Sequence, residues 1–232
     1  MNRFLQMLKE ERFPLVMSLP KNDPRLAQAA WDNGADVVKI HINVKHHASQ
    51  TLFLSYEEER DNIQMMLHQA RGPMGIVLGA DTRLVSGDFE EALSEGFDFI
   101  SLYGQHAPLK ILADRQISKM LAPDYTWKDW EISSLKSVGA DILEASVMHP
   151  DSYGQPLSAR ELIHYRHLSQ ISSLPIVVPT QRAVEPQDVV LLRDNGVKGI
   201  MLGSVVTGKE ADSIAKTISR FRSAIDAMRV VL

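Results

Sequence analysis

The sequence predicts an α/β protein built as a single (β/α)8 barrel, a TIM barrel, with a short N-terminal helix in front of it. Three observations carry that expectation. Eight short apolar runs alternate with helix-like stretches over 232 residues, and one such barrel usually takes about 250. Four returns from helix to strand share one punctuation: Asn33-Gly34-Ala35-Asp36, Glu95-Gly96-Phe97-Asp98, Val138-Gly139-Ala140-Asp141 and Asn195-Gly196-Val197-Lys198. The last two apolar runs end abruptly, one in Thr180-Gln181-Arg182 and the other in Gly203-Ser204.

The elements follow in order. Phe4, Leu5 and Leu8 lie on one side of an amphipathic N-terminal helix. Strands are expected over 15–19, 36–42, 74–79, 98–103, 118–122, 141–147, 175–180 and 198–203. Helices are expected over 24–33, 57–71, 88–95, 108–115, 127–137, 159–172, 186–195 and 209–228. Eight consecutive βα units favour a closed parallel barrel over an open doubly wound sheet. Glycine before each return suits the left-handed turn that caps a helix. No shift in composition marks a second domain, so one domain is expected over 1–232. Two connections are long, 43–56 with His46 and His47, and 148–158 with His149, Asp151, Tyr153 and Gly154. Both fall on the C-terminal face, where extra length is read as a lid or binding loop, with solvated loop decoration as the alternative.

Composition narrows the class. Hydrophobic residues make up 44% and charged residues 23%, ordinary for a globular domain. A net charge of −4 gives no polyanion-binding surface, so nucleic acid is not expected as a partner. The absence of cysteine excludes disulfides, thiolate nucleophiles and zinc–thiolate sites. No apolar run approaches the roughly 18 residues of a membrane helix, and the N-terminus lacks the features of a signal peptide. A cytoplasmic protein without membrane contact is expected. A homodimer is the default oligomer.

Strand side chains alternate, which separates lumen from helix-facing positions. In the second strand Val38, Ile40 and Ile42 form the outward apolar set, leaving Lys39, His41 and Asn43 for the lumen. In the sixth, Leu143, Ala145 and Val147 face outward, and Glu144 and Ser146 inward. The fourth offers Ser101 and Tyr103, and the third leads up to Asp81. Even-numbered strands share layers in such barrels, which puts Lys39 and Glu144 within reach of each other or of a common ligand. Ionised groups inside a barrel are paired or functional, and a confined Lys–Glu pair suits acid–base work near neutral pH. Lys39, Glu144 and His41 are the catalytic candidates; the alternative for Lys39 and Glu144 is a structural ion pair filling the core, or a parity that places one of them outside. Asn43, Asp81, Ser101 and His149 are the substrate-binding ones. A hydrogen-bonded core histidine is the alternative for His41. His46, His47 and His149 show no tight ligand spacing to a carboxylate, so neither a metal nor another cofactor is expected.

The ends of the seventh and eighth strands suit a phosphate. Such a group needs converging N–H donors, and barrels often hold it after these strands. Thr180, Gln181, Arg182, Gly203 and Ser204 are the candidates: Gly203 for close backbone approach, Ser204 for a hydroxyl and Arg182 for a bidentate charge.

In these pieces the chain resembles the phosphate-binding, or ribulose-phosphate-binding, superfamily of TIM barrels. Within it the nearest look is to the N-acylglucosamine-6-phosphate 2-epimerases. The resemblance lies in Leu15-Val16-Met17-Ser18, in Ala29-Ala30-Trp31-Asp32-Asn33-Gly34-Ala35, in Arg182 and Pro186, and in Gly203-Ser204-Val205-Val206-Thr207. It implies the barrel and a phosphate site. The catalytic residues of that family do not carry over. Thr180-Gln181 stands where it has Glu-Gly, the third strand has no lysine, and Met17-Ser18-Leu19 has no glutamine. His41-Ile42-Asn43 only faintly echoes the His-x-Asp of ribulose-phosphate 3-epimerases.

The expected function is an enzyme acting on a phosphorylated small metabolite. The first expectation is a sugar-phosphate epimerase or isomerase, with Glu144 as base and Lys39 as acid or carbonyl polariser. A Schiff-base aldolase or lyase using Lys39 and a non-catalytic phosphometabolite-binding barrel are the alternatives.

Overall fold

The eight βα repeats close on themselves. The structure, a computed structural model, describes residues 2–229; residue 1 and residues 230–232 of the expected domain lie outside the described residues. The strands are β1 (Leu15–Ser18), β2 (Val37–His41), β3 (Val44–His46), β4 (Thr51–Phe53), β5 (Met74–Val77), β6 (Phe99–Tyr103), β7 (Ser118–Ala122), β8 (Ile142–Glu144), β9 (Ile176–Pro179) and β10 (Gly199–Leu202). All but β3 and β4 form a closed parallel barrel in the order β1-β10-β9-β8-β7-β6-β5-β2. These are the eight runs expected, each trimmed by a residue or more except the one at 118–122. The pair β3–β4 is an antiparallel hairpin within the long connection after β2.

The helices are α1 (Arg3–Lys9), α2 (Pro24–Asp32), α3 (Tyr56–Gln69), α4 (Thr82–Gly87), α5 (Phe89–Ser94), α6 (Leu109–Ala113), α7 (Asp129–Ser134), α8 (Ala159–Ile171), α9 (Asp188–Asp194), α10 (Ser204–Thr207) and α11 (Ala211–Arg229). Two are additions to the expected set. Asp81 caps α4 by accepting from the Arg83 and Leu84 N–H groups, so the loop after β5 coils before α5. The one-turn α10 stands between Gly203 and the long final helix.

The recurring punctuation does more than turn the chain. Gly34, Gly96, Gly139 and Gly196 have φ of 102°, 84°, 109° and 89°, the region where a side chain is strained. Two residues on, the chain clasps the start of the neighbouring strand. The Asp36 carboxylate accepts the Leu15 N–H at 2.8 Å, Asp98 that of Met74 at 3.0 Å, and Asp141 that of Lys119 at 2.9 Å. The N–H of each aspartate in turn donates to the carbonyl of the same partner residue. At the fourth return Lys198 keeps only the backbone bond, to Ile176, and its side chain reaches Glu11 instead. The bottom rim is thus stitched at every second strand pair.

Below the rim the lumen is sealed. Phe4 and Leu8 of α1 pack against Val16, Val37, Phe99, Met120, Ile142, Val177 and Met201 in one buried cluster. Phe4 and Phe99 stack with ring centroids 4.8 Å apart. Gly75 makes room for this: a Cβ there would lie 2.1 Å from the Phe99 ring. Each large apolar side chain buried in the plug stabilises the fold by about 1.5–3 kcal/mol. A second, larger cluster joins the outward strand faces to the helices and holds Leu143, Ala145 and Val147, as alternation required. The bottom of the lumen is apolar and closed, and the lumen opens at the C-terminal mouth.

Candidate active site

Strand register stacks the lumen in layers. Lys39 pairs with Gly75 and Gly75 with Phe99; strand tilt makes the layer mate two positions further, Ser101. The same step leads through Met120 and Ile142 to Glu144, through Val177 and Gly199 to Met201, and through Val16 and Val37 back to Lys39. A layer of four from alternate strands, with a shear of about eight, is the expected barrel geometry. Lys39, Ser101, Glu144 and Met201 therefore meet at one level. Above them stand Ser18, Val77, Ala122 and Pro179, then His41, Tyr103, Ser146 and Gly203. All of these line one cavity of about 270 Å³, near the small end of metabolite sites.

At the cavity floor the Lys39 ammonium lies 3.2 Å and 3.4 Å from the two Glu144 carboxylate oxygens. The Ser101 hydroxyl donates to Glu144 Oε2 at 2.8 Å and receives the ammonium at 3.5 Å. Lys39, Glu144 and Ser101 are 4%, 7% and 2% exposed. Desolvated charges persist in such a place only when paired; the pairing orients the carboxylate, with the cavity directly above it.

Nearer the mouth lies a hydroxyl cluster. Tyr103 and Ser146 hydroxyls are 2.9 Å apart, and the Gln181 amide donates to Ser146 and to the Tyr153 phenol. Burial pushes both phenols up, so they remain protonated at neutral pH. Tyr153 comes from the long loop after β8, and no strand alternation could have announced it.

The hairpin β3–β4 covers the other side. His46 and His47 line the cavity. His41 stacks on His46 and on Phe53 with centroids 4.6 Å and 4.8 Å away. Asn22 holds the His41 backbone at both its N–H and its carbonyl. Burial, then His46 and Lys39, push His41 well below its ordinary value. Burial above all, with Lys39 and His47, brings His46 down to about 4. Both imidazoles are neutral near pH 7. Among the described residues no group of three histidine, aspartate or glutamate side chains is arranged to hold a metal ion.

The remaining expected residues divide. Thr180, Gln181 and Gly203 line the cavity, and the Thr180 hydroxyl accepts the Gly203 N–H at 2.9 Å, tying the two strand ends together. Arg182 does not reach the cavity. Its guanidinium binds the buried Glu161, the Ser152 carbonyl and the Gln155 side chain, because a neighbouring carboxylate on α8 claims it first. Ser204 opens α10 outside the lining, its hydroxyl buried without a partner. Asn43 turns away: its φ of 52° ends the alternation, and its amide binds Leu78 and Asp88. Asp81 serves as a helix cap. His149 is exposed and packs on Tyr125 at 4.5 Å.

No protein-family model and no curated protein matches the chain. Solved structures do. A thiamine phosphate pyrophosphorylase from Pyrococcus furiosus superposes with a TM-score of 0.63 at 14% identity, over 94% of this chain and 98% of that one. Tryptophan synthase from Mycobacterium tuberculosis superposes with a TM-score of 0.73 at 10% identity, over 95% and 96%. Likeness at this identity is likeness of fold, and it places the chain among (β/α)8 barrels. It assigns no residue, so the functional reading rests on the cavity itself.

Proposed function

We propose that the protein is an enzyme that removes a proton next to a carbonyl of a small phosphorylated metabolite, as a sugar-phosphate epimerase or isomerase does. The observation that carries this reading is the buried Lys39–Glu144 pair on the floor of a cavity open to the strand C-termini. A carboxylate there is a base without competing water, and the adjacent ammonium is an acid that can return a proton. Ser101 fixes the carboxylate rotamer, and orientation of this kind supplies much of a rate enhancement.

The phosphate is assigned to the rim of β9 and β10, beside the Thr180 hydroxyl and the start of α10; the Gln181 amide and the Gly203 N–H are already engaged. The Ser204 and Val205 amides have no intrahelical acceptor, whereas those of Val206 and Thr207 donate to the Gly203 carbonyl; the two amides at the start suit an anion. The name of the Pyrococcus furiosus neighbour is in keeping with a phosphorylated ligand on this fold. Arg182 is omitted from the assignment because Glu161 holds it. Phosphate contacts would add remote binding energy and orientation.

A second reading uses the same lysine as a nucleophile, because Lys39 places an amine on the cavity floor. Turnover of a panel of sugar phosphates, with and without borohydride, separates the readings. Epimer or isomer formation lost in Glu144→Gln supports the first. A reduced adduct mapping to Lys39 replaces it with the lyase, and tight binding without turnover replaces it with a binding protein.

A further inference from the structure

The Gln181 side chain determines its own orientation. Its Oε1 accepts the Met148 N–H at 3.1 Å, so its Nε2 faces the other way. That nitrogen donates to the Ser146 hydroxyl at 3.0 Å and to the Tyr153 phenol at 2.5 Å. An amide nitrogen has two protons and accepts nothing. Both are engaged, and Gln181 is 5% exposed.

Counting protons then constrains the hydroxyls. Ser146 and Tyr153 each receive a bond from Gln181 and keep a proton of their own. The bond between Tyr103 and Ser146 uses one hydroxyl proton, whichever partner donates. Contacts of Tyr153 with Tyr103 and with Ser146 can engage the other two within the cluster. All three side chains line the cavity, so these two protons can turn from the internal contacts to an oxygen bound there. Tyr103 and Ser146 stand two positions beyond Ser101 and Glu144 along the chain, two layers closer to the mouth.

We propose that Tyr103, Ser146 and Tyr153, oriented by Gln181, form an oxyanion-binding cluster for the enolate that Glu144 generates; this rests on the reading of the Lys39–Glu144 pair given above. The C–H bond breaks and its proton passes to Glu144. Its electron pair forms the new C=C bond, while the carbonyl π pair moves onto oxygen. The hydroxyls hold that oxygen by hydrogen bonds without transferring a proton, which is how fixed donors stabilise developing charge. Return of a proton to the same carbon on its other face gives the epimer; for the isomer, the hydroxyl proton on that carbon passes within the substrate to the enolate oxygen, the abstracted proton returns to the former carbonyl carbon, and the new C=O forms next door. No further reactant is required. The substrate class is thereby narrowed to metabolites whose carbonyl oxygen, an acceptor and never a donor, docks between β6 and β8. Gln181 is a positioning residue in this scheme.

The test uses the full chain and phosphoglycolohydroxamate, whose planar hydroxamate resembles an enediolate, titrated by calorimetry. Wild type binds it. Tyr153→Phe and Gln181→Glu each weaken binding roughly 10- to 100-fold, the value of a hydrogen bond to a charged group. The carboxylate introduced by Gln181→Glu would keep the Met148 bond but accept where the amide donates, drawing the hydroxyl protons inward. The double variant therefore binds no more weakly than Gln181→Glu alone, a coupling that lost packing would not produce. Tyr153→Phe, which removes one oxygen, decides the matter should the other variant misfold. Wild-type affinity in Tyr153→Phe overturns the cluster and leaves the Lys39–Glu144 reading standing. Absence of binding in wild type, together with absence of turnover on the sugar-phosphate panel, overturns both.

Discussion

Lys39 and Glu144, 105 positions apart in the chain, meet across the barrel lumen with Nζ 3.2 Å from Oε2. Only the closed barrel brings them together, since β2 and β8 are not neighbours in the sheet. The pair is walled below by the apolar plug and opens above into the cavity, which makes it both a structural liability and a chemical asset.

The liability is measurable. Glu144→Gln leaves a buried ammonium without its counter-charge, and such a change costs about 3–5 kcal/mol. Replacing both residues, as Lys39→Met with Glu144→Leu, removes the unpaired charge and should restore most of that loss. Urea unfolding of the two single variants and the double variant checks the order: both singles below the double.

Gly75→Ala should destabilise the barrel although alanine suits a strand at least as well as glycine. The added methyl would enter the Phe99 ring, and overpacking of this kind costs about 1–3 kcal/mol. Pairing it with Phe99→Leu should recover part of the loss. Thermal melts of the three variants decide; a neutral Gly75→Ala would mean the ring has room to move.

The stitched rim predicts a contrast between two equivalent positions. Asp98→Ala removes the acceptor of the Met74 N–H and the Arg3 ion pair, leaving a strand-start donor unsatisfied at a cost of about 1–3 kcal/mol. Lys198→Ala removes only a surface pair with Glu11, worth at most about 1 kcal/mol. Chemical denaturation should separate them clearly.

His46 predicts a pH dependence. Its folded-state value, about 4, lies below the ordinary 6.5, so the unfolded chain binds the proton more readily. Stability from this group is complete above about pH 6.5, declines as pH falls, and levels off below about pH 4. The total is about 3 kcal/mol. Buried His41 acts in the same direction. Stability measured from pH 7 to pH 4 should fall more steeply in wild type than in His46→Asn.

Much of this was readable from residue order because alternation and register are local rules. They bring Lys39, Ser101, Tyr103, Glu144 and Ser146 to the lumen, and the cavity lining holds all five. The rules lapse where strands end. Asn43 adopts a positive φ and leaves the lumen, and Asp81 turns into a cap. Arg182 was lost to a partner, Glu161, on another element, and periodicity does not report such competition. Tyr153 and the His46–His47 hairpin enter from long loops. Their length marked them as binding segments, while their individual contacts depend on tertiary packing.

The most direct test of the central claim is solvent exchange at carbon. The protein, incubated in D2O with a panel of phosphorylated aldoses, ketoses and N-acylated amino sugars, should place deuterium on the carbon next to the carbonyl of one of them, as read by proton NMR. The account predicts that Glu144→Gln slows this incorporation by about 10²-fold or more. Incorporation by that variant at the wild-type rate would contradict it, as would its absence from every substrate in the wild type.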